Sequence, residues 1–312
     1  MTKEQKIGHI SMLIASVLWG LMSPVSKFVM SDGLVNSFAV ADVRIFGAAI
    51  LFWIYSLFTK AEKVDRKDYI RLFGAGLFAI VFNQGVFVTG ISMTSPVDAS
   101  IITTVLPIVT MIFAAIFIKE PITGKKVGGV MLGACGALLL IFGNYLLPGG
   151  ASASAAASRP ESGLWGNLLC VLAQCSYATY LVLFKDIICK YSPVTLMKWM
   201  FTFASLAMLP ATGHIFFSTP WASVPAMDYA GLAFILLGGT FICYLIVPLG
   251  QKSLRPTLVA MYNYVQPIVA TFAAILWGMD SFNILKVVAI ALVFSGVLLV
   301  NASKARNPED NK

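Results

Sequence analysis

Apolar residues run along this chain in blocks longer than a soluble helix needs, each closed by a short polar or basic interruption. A membrane-crossing helix takes about 20 mostly apolar residues, and ten such blocks can be laid out. They run Gly8–Met30, Phe38–Thr59, Tyr69–Ser92, Val97–Ile118 and Val127–Leu147, then Leu164–Phe184, Val194–Phe217, Tyr229–Gly250, Thr257–Gly278 and Ile284–Val300. The pattern predicts an all-α integral membrane protein with ten transmembrane helices. Little chain is left for a soluble domain. The one sizeable link, 148–163, reads PGGASASAAASRPESG and is small and polar enough to be a flexible connector.

Composition removes the alternative of one or two soluble domains in 312 residues: 58% are hydrophobic and only 12% charged, and mean hydropathy is +0.84. The net charge of +8 does not call for nucleic acid, because its placement explains it. Lys3 and Lys6 precede the first span, Lys60 to Arg71 lie between the second and third, and Lys119, Lys125 and Lys126 follow the fourth. Lys185 and Lys190, Lys252 and Arg255, and the tail from Lys304 continue the alternation. Basic loops face the cytoplasm, so both termini are predicted cytoplasmic, the connector periplasmic, and the location the bacterial inner membrane. The first block is too long for a cleaved signal peptide and is expected to be retained. The five cysteines lack metal or disulfide spacing and are assigned to packing.

The second half of the chain repeats the first. A shift of 160 aligns Gly90 with Gly250, Pro96 with Pro256, Pro107-Ile108-Val109 with Pro267-Ile268-Val269, Glu120 with Asp280 and Gly136 with Gly296. A shift of 158 aligns Trp19 with Tyr177 and Lys27 with Lys185. The repeats are therefore predicted at 1–147 and 164–312. Five helices per copy is odd, so the second copy enters the membrane inverted, an arrangement characteristic of secondary transporters, whose sites lie near the midplane.

ASVLWGLMSPVSK (Ala15–Lys27), Arg44 early in the second span, the Pro107 helix ending in KEPIT, GGVMLGACG (Gly128–Gly136) and YVQPIVATFAAILWGMD in the second copy occur in order and in duplicate. In these features the chain resembles the drug/metabolite transporter superfamily, specifically its EamA-type permeases, over nearly its whole length. The resemblance implies a central cavity walled by helices 1, 3, 4, 6, 8 and 9 and the export of metabolites. It departs at Asp280-Ser281-Phe282, where the first copy has Glu120-Pro121-Ile122.

Polar groups inside the spans mark the candidate site. Pro24, Pro107, Pro248 and Pro267 each remove a backbone hydrogen bond, freeing the carbonyls of Gly20, Thr103, Tyr244 and Asn263. Such breaks are tolerated beside a hydrated pathway or within protein, so these prolines are expected at the pathway as helix breaks or gates. Trp19, Asn83, Gln84, Thr103, Tyr177, Tyr244, Tyr262, Asn263 and Gln266 are the expected substrate-lining residues, with helix–helix packing as the alternative for each. Aromatic walls with a few amides suit a neutral or zwitterionic molecule such as an amino acid. Lys27, Asp42 and Arg44 are expected near outer helix ends as a structural ion pair, with a gate or proton-coupling role as the alternative. Gly129 and Gly133 offer a small-residue surface, expected to pack within a monomer, with a dimer as the alternative. An enzyme is disfavoured because only His9 and His214 are present, with no metal spacing and no phosphate loop. Neither a cofactor nor a metal is expected. An anion or nucleotide-sugar exchanger of the same superfamily is the runner-up, and a channel is further off.

Overall fold

The computed structural model describes residues 2–93, 102–142, 163–276 and 284–303, and contains no strand among them. The connector up to 162, Asp98 and Asp280 lie outside the described residues. Helix α1 (Lys3–Val29) opens with a reciprocal cap, in which Thr2 accepts from the Gln5 amide and Gln5 accepts from the Thr2 amide. Asn36 caps α2 (Ser37–Ser56) with a single bond, its side chain accepting from the Ala39 amide at 2.8 Å.

The third apolar block is not a uniform helix. It divides into α3 (Asp68–Gly76), a π-helical stretch Leu77–Gly85, and α4 (Val86–Met93). Next come α5 (Leu106–Phe117), α6 (Gly124–Phe142), α7 (Gly163–Leu183), the short α8 (Lys185–Lys190) and α9 (Pro193–Ser218). The eighth block divides as the third does, into α10 (Ala226–Leu236), a π-helical stretch Leu237–Ile242 and α11 (Cys243–Ser253). The ninth comprises α12 (Pro256–Met261), a 3-10 turn Tyr262–Tyr264 and α13 (Val265–Leu276), and α14 (Ile284–Asn301) closes the described chain. Among the described residues, five helical runs are long and apolar enough to cross a membrane, at Ser37–Ser56, Leu164–Leu183, Pro193–Ser218, Ala226–Ser253 and Ile284–Asn301; α5 is a shorter apolar helix.

Two units result, and each draws on both halves of the sequence: unit 1 is Met1–Val88 with Phe184–Leu254, and unit 2 is Thr89–Leu183 with Arg255–Lys312. Unit 1 packs α1 on α11 and α2 on α9. Phe52 lies 5.6 Å from Phe201 and 4.8 Å from Phe241 between ring centres, filling the space between these helices. Unit 2 packs α6 on α14 and α5 on α7. The small residues of α6 are used inside the chain: a Cβ on Gly129 would stand 2.7 Å from the Gly296 carbonyl, and one on Gly136 2.7 Å from that of Ala289.

These contacts are reciprocal. Gly136 aligns with Gly296 in the repeat and Ala289 with Gly129, so each position meets the mate of the other, as self-complementary two-fold packing requires. Gly90 against the Gly166 carbonyl in unit 2 repeats Gly250 against the Gly8 carbonyl in unit 1. The π-helical stretches begin at equivalent positions, Leu77 and Leu237. Hydrogen bonds also join residues 160 apart: Gln84 to Tyr244 and Ser205 to Ile45 in unit 1, and Tyr264 to Thr104 in unit 2.

One face of unit 1 gathers its basic loops. Asp68 opens α3 and accepts from Lys190 Nζ and the Tyr191 hydroxyl, each at 2.6 Å, while Lys252 donates to the Tyr191 carbonyl and Arg71 pairs with Asp186. The Lys190 and Tyr191 donors hold the Asp68 carboxyl below its ordinary range, and the Asp65 and Asp68 carboxylates raise Lys190. The stabilisation from Asp68 is therefore complete above about pH 4 and is lost as pH falls through its lowered folded value, whereas that from Lys190 persists until strongly alkaline pH. Asp68→Asn is expected to melt a few degrees below the native protein at pH 7. Thermal melts in detergent over a pH series should show that gap closing on acidification.

Candidate functional site

The two π-helical stretches organise a polar cluster inside unit 1. A π turn widens the helix and displaces carbonyls from their usual partners. The adjacent Gly238 and Gly239 place no side chain in the way, and the Thr240 hydroxyl donates to the Ile235 carbonyl five residues back, at 2.9 Å. The Gly239 carbonyl accepts from the Trp19 indole at 2.9 Å, and Thr240 accepts from Arg44 Nε at 3.0 Å. From the other stretch, Gln84 Nε2 donates to the Tyr244 hydroxyl at 3.1 Å. The Tyr244 ring stands edge-on to Trp19 and Phe201, at 6.1 and 5.0 Å. Gln84 is 7% exposed, and its Oε1 has no hydrogen-bond partner among the described residues. Asn83, its neighbour, is half-buried.

Asp42 and Arg44 do not form an ion pair. Two residues apart on a helix, they point to different sides: Asp42 is fully buried and accepts from Thr212 at 2.6 Å, while Arg44 reaches Thr240. Arg44 therefore sits within unit 1 rather than at a helix end, and forms no ion pair among the described residues. The backbone of Pro24 and Lys27 belongs to α1, and their side chains lie outside the described set.

The remaining expected residues belong to unit 2. Gln266 Nε2 donates to Asn263 Oδ1 at 3.0 Å, both half-buried, and Tyr262 beside them is buried. Tyr177 stacks on Tyr180 at 5.8 Å, and Thr103 is half-buried ahead of α5. Two of the four prolines are placed more cheaply than mid-span breaks. Pro107 is the second residue of α5 and Pro267 the third of α13, in first turns where amides lack intrahelical partners anyway. Of the four, Pro24, by its place in the α1 backbone, and Pro248, within α11, interrupt a helix interior.

The model of the EamA-like transporter family matches residues 6–142 and 164–302. The chain belongs to that family. Among relatives of this EamA permease, the WAT1-related protein At2g40900 of Arabidopsis thaliana is 25% identical over 82% of this chain and 67% of the relative. The Uncharacterized transporter YyaM of Bacillus subtilis is 23% identical over 93% of this chain and 92% of the relative. A crystal structure of a protein 16% identical superposes with a TM-score of 0.74 over 95% of both chains, which shows a shared fold. The permease is thus a multi-pass membrane transporter of the drug/metabolite superfamily.

Four residues of the permease's clusters escape a reading of sequence alone: Thr240, Gly239, Thr212 and Tyr264. The Tyr264 hydroxyl, buried in unit 2, donates to the Thr104 carbonyl at 3.0 Å, beside the proline-led start of α5. The Gly-Gly-Thr step in an otherwise apolar block is a sequence signal for Gly239 and Thr240, because small residues and a hydroxyl there mark close helix contact, though not a π turn.

Proposed function

We propose that the permease exports a small zwitterionic or neutral metabolite, an amino acid or its like, across the plasma membrane by alternating access. The carrying observation is the Trp19, Gln84 and Tyr244 cluster: two aromatic rings edge-on, the hydroxyl of one taking the Gln84 amide, and a buried Gln84 oxygen with an unused lone pair, inside a chain built to cross a membrane. An unpaired buried acceptor costs about 1–3 kcal/mol, and a ligand donor removes that cost. The reciprocal glycine contacts and the matched π stretches support two inverted five-helix repeats at 1–147 and 164–312, joined by a periplasmic connector. Clustering of basic loops on one face of unit 1 supports cytoplasmic termini. Exchange of conformation between inverted copies would then supply the two access states.

Counterflow in proteoliposomes tests the reading. Gln84→Leu and Tyr244→Phe are each expected to reduce saturable counterflow at least about tenfold, or about 1.4 kcal/mol, while the purified proteins remain monodisperse. Flux that never saturates would mean a channel, and unchanged counterflow in both variants would remove the cluster from the pathway.

A further inference from the structure

We propose that Arg44 anchors the substrate's carboxylate and that Gln84 Oε1 receives its ammonium group, making Arg44 the residue by which the permease selects α-amino acids over their amides and amines. The inference rests on the transporter reading above and deepens it. Arg44 is the eighth residue of α2, about 10 Å along the helix from its start at 1.5 Å per residue. A guanidinium at such depth is costly unless it is paired or hydrated. Its Nε is spent on Thr240, which is fully buried and itself tied to the Ile235 carbonyl, so the plane of the fork is held from behind.

The two terminal nitrogens make no hydrogen bond among the described residues, and the side chain is only half-buried. Asp42, the nearest carboxylate in sequence, turns its Oδ1 to Thr212 and makes no ion pair with Arg44. What remains is the paired N–H edge that matches a carboxylate with two parallel bonds. The second half of an amino acid's charge finds its partner in the same cluster. Gln84 Oε1 is a buried acceptor without a donor, and the Tyr244 hydroxyl, which takes the Gln84 amide bond, keeps its own proton to give. The two ends are joined by contacts: Arg44 holds Thr240, Trp19 bonds the adjacent Gly239 carbonyl, and the Trp19 ring stands edge-on to Tyr244, which takes the Gln84 amide. One cation in the cluster balances one carboxylate; a phosphate dianion would leave charge unmatched.

The test is counterflow over the proteinogenic amino acids, each beside its amide and its decarboxylated amine, with ligand-induced thermal stabilisation of the purified protein as a second readout. The native protein is expected to favour at least one acid over its amide at least about tenfold, about 1.4 kcal/mol. That acid should raise the melting temperature of the native protein and, at higher concentration, of Arg44→Lys, but not of Arg44→Gln. If Arg44→Gln does not fold, the native acid-to-amide ratio and a weakened acid affinity in Arg44→Lys decide. Amides or amines moving as well as acids, or acid stabilisation retained in Arg44→Gln, overturns the anchor and leaves a transporter of another substrate class. Absence of saturable flux for every compound overturns the amino-acid reading as well.

Discussion

Leucine in place of Gly129 or Gly296 is expected to abolish the folded protein, not merely its activity. A Cβ on Gly129 would lie 2.7 Å from the Gly296 carbonyl oxygen and 2.9 Å from the Val300 amide, and a Cβ on Gly296 would lie 2.6 Å from the Gly129 carbonyl. Those neighbours are helix backbone, which cannot rotate aside as a side chain does, so α6 and α14 must separate along their contact. Overpacking a core costs about 1–3 kcal/mol when side chains can adjust, and here the penalty should reach the top of that range or exceed it. Between membrane helices, close approach of small residues supplies much of the attraction, so separation also forfeits the packing on either side. Gly124→Ala, at the start of the same helix with nothing within 4 Å of its new Cβ, is the matched control. Size-exclusion profiles and melting temperatures in detergent should show aggregated or absent protein for the leucine variants and native behaviour for the control.

The all-helical, membrane-crossing character is legible because hydrophobic length is a strong signal in a membrane chain. The expected second span, Phe38–Thr59, lies within a few residues of α2, and its start is explained by Asn36 as a cap. The 160-residue shift that aligns Gly90 with Gly250 also aligns Gln84 with Tyr244, and these two side chains meet. Other features depend on contacts between segments distant in sequence. A π stretch carries no local composition of its own. It forms where one extra residue per turn improves packing against neighbours, and so neither Leu77–Gly85 nor Leu237–Ile242 could be read from its letters.

Arg44 was misplaced for a related reason: proximity to Asp42 in sequence suggests a pair, whereas helical rotation sends the two side chains to Thr240 and Thr212 on other helices. Of the four prolines expected as breaks within spans, Pro24 and Pro248 do sit inside helices, α1 and α11. Near Pro107 and Pro267 the chain instead starts new helical segments, where a missing amide proton matters least. Units mixing both halves follow from the same logic. Helices of a duplicated chain can find their complementary surfaces in the other copy, as α6 does on α14.

Glu120→Leu is expected to destabilise the permease by about 3–5 kcal/mol, and adding Lys126→Met should restore a large part of that loss. Glu120 is held inward by the turn that ends α5: Lys119 takes a left-handed conformation with φ 52°, and the Glu120 amide donates back to the Ala114 carbonyl at 3.0 Å. Its carboxylate lies 3.0 Å from Lys126 Nζ, a side chain with no exposed surface, and 3.7 Å from Arg255. Arg255 in turn donates to the Val300 carbonyl at 2.9 Å near the end of α14. Removing the carboxylate leaves an ammonium with no route to water beside a second cation. The penalty is thus the stranded charge and not the net worth of the pair, which is why deleting both charges is milder than deleting one. Lys126→Met alone should be the gentler single change, because Arg255 remains to balance Glu120. A double-mutant cycle on melting free energies should give a coupling above about 1 kcal/mol; additive losses would mean that water reaches Lys126 and that the pair is not sealed.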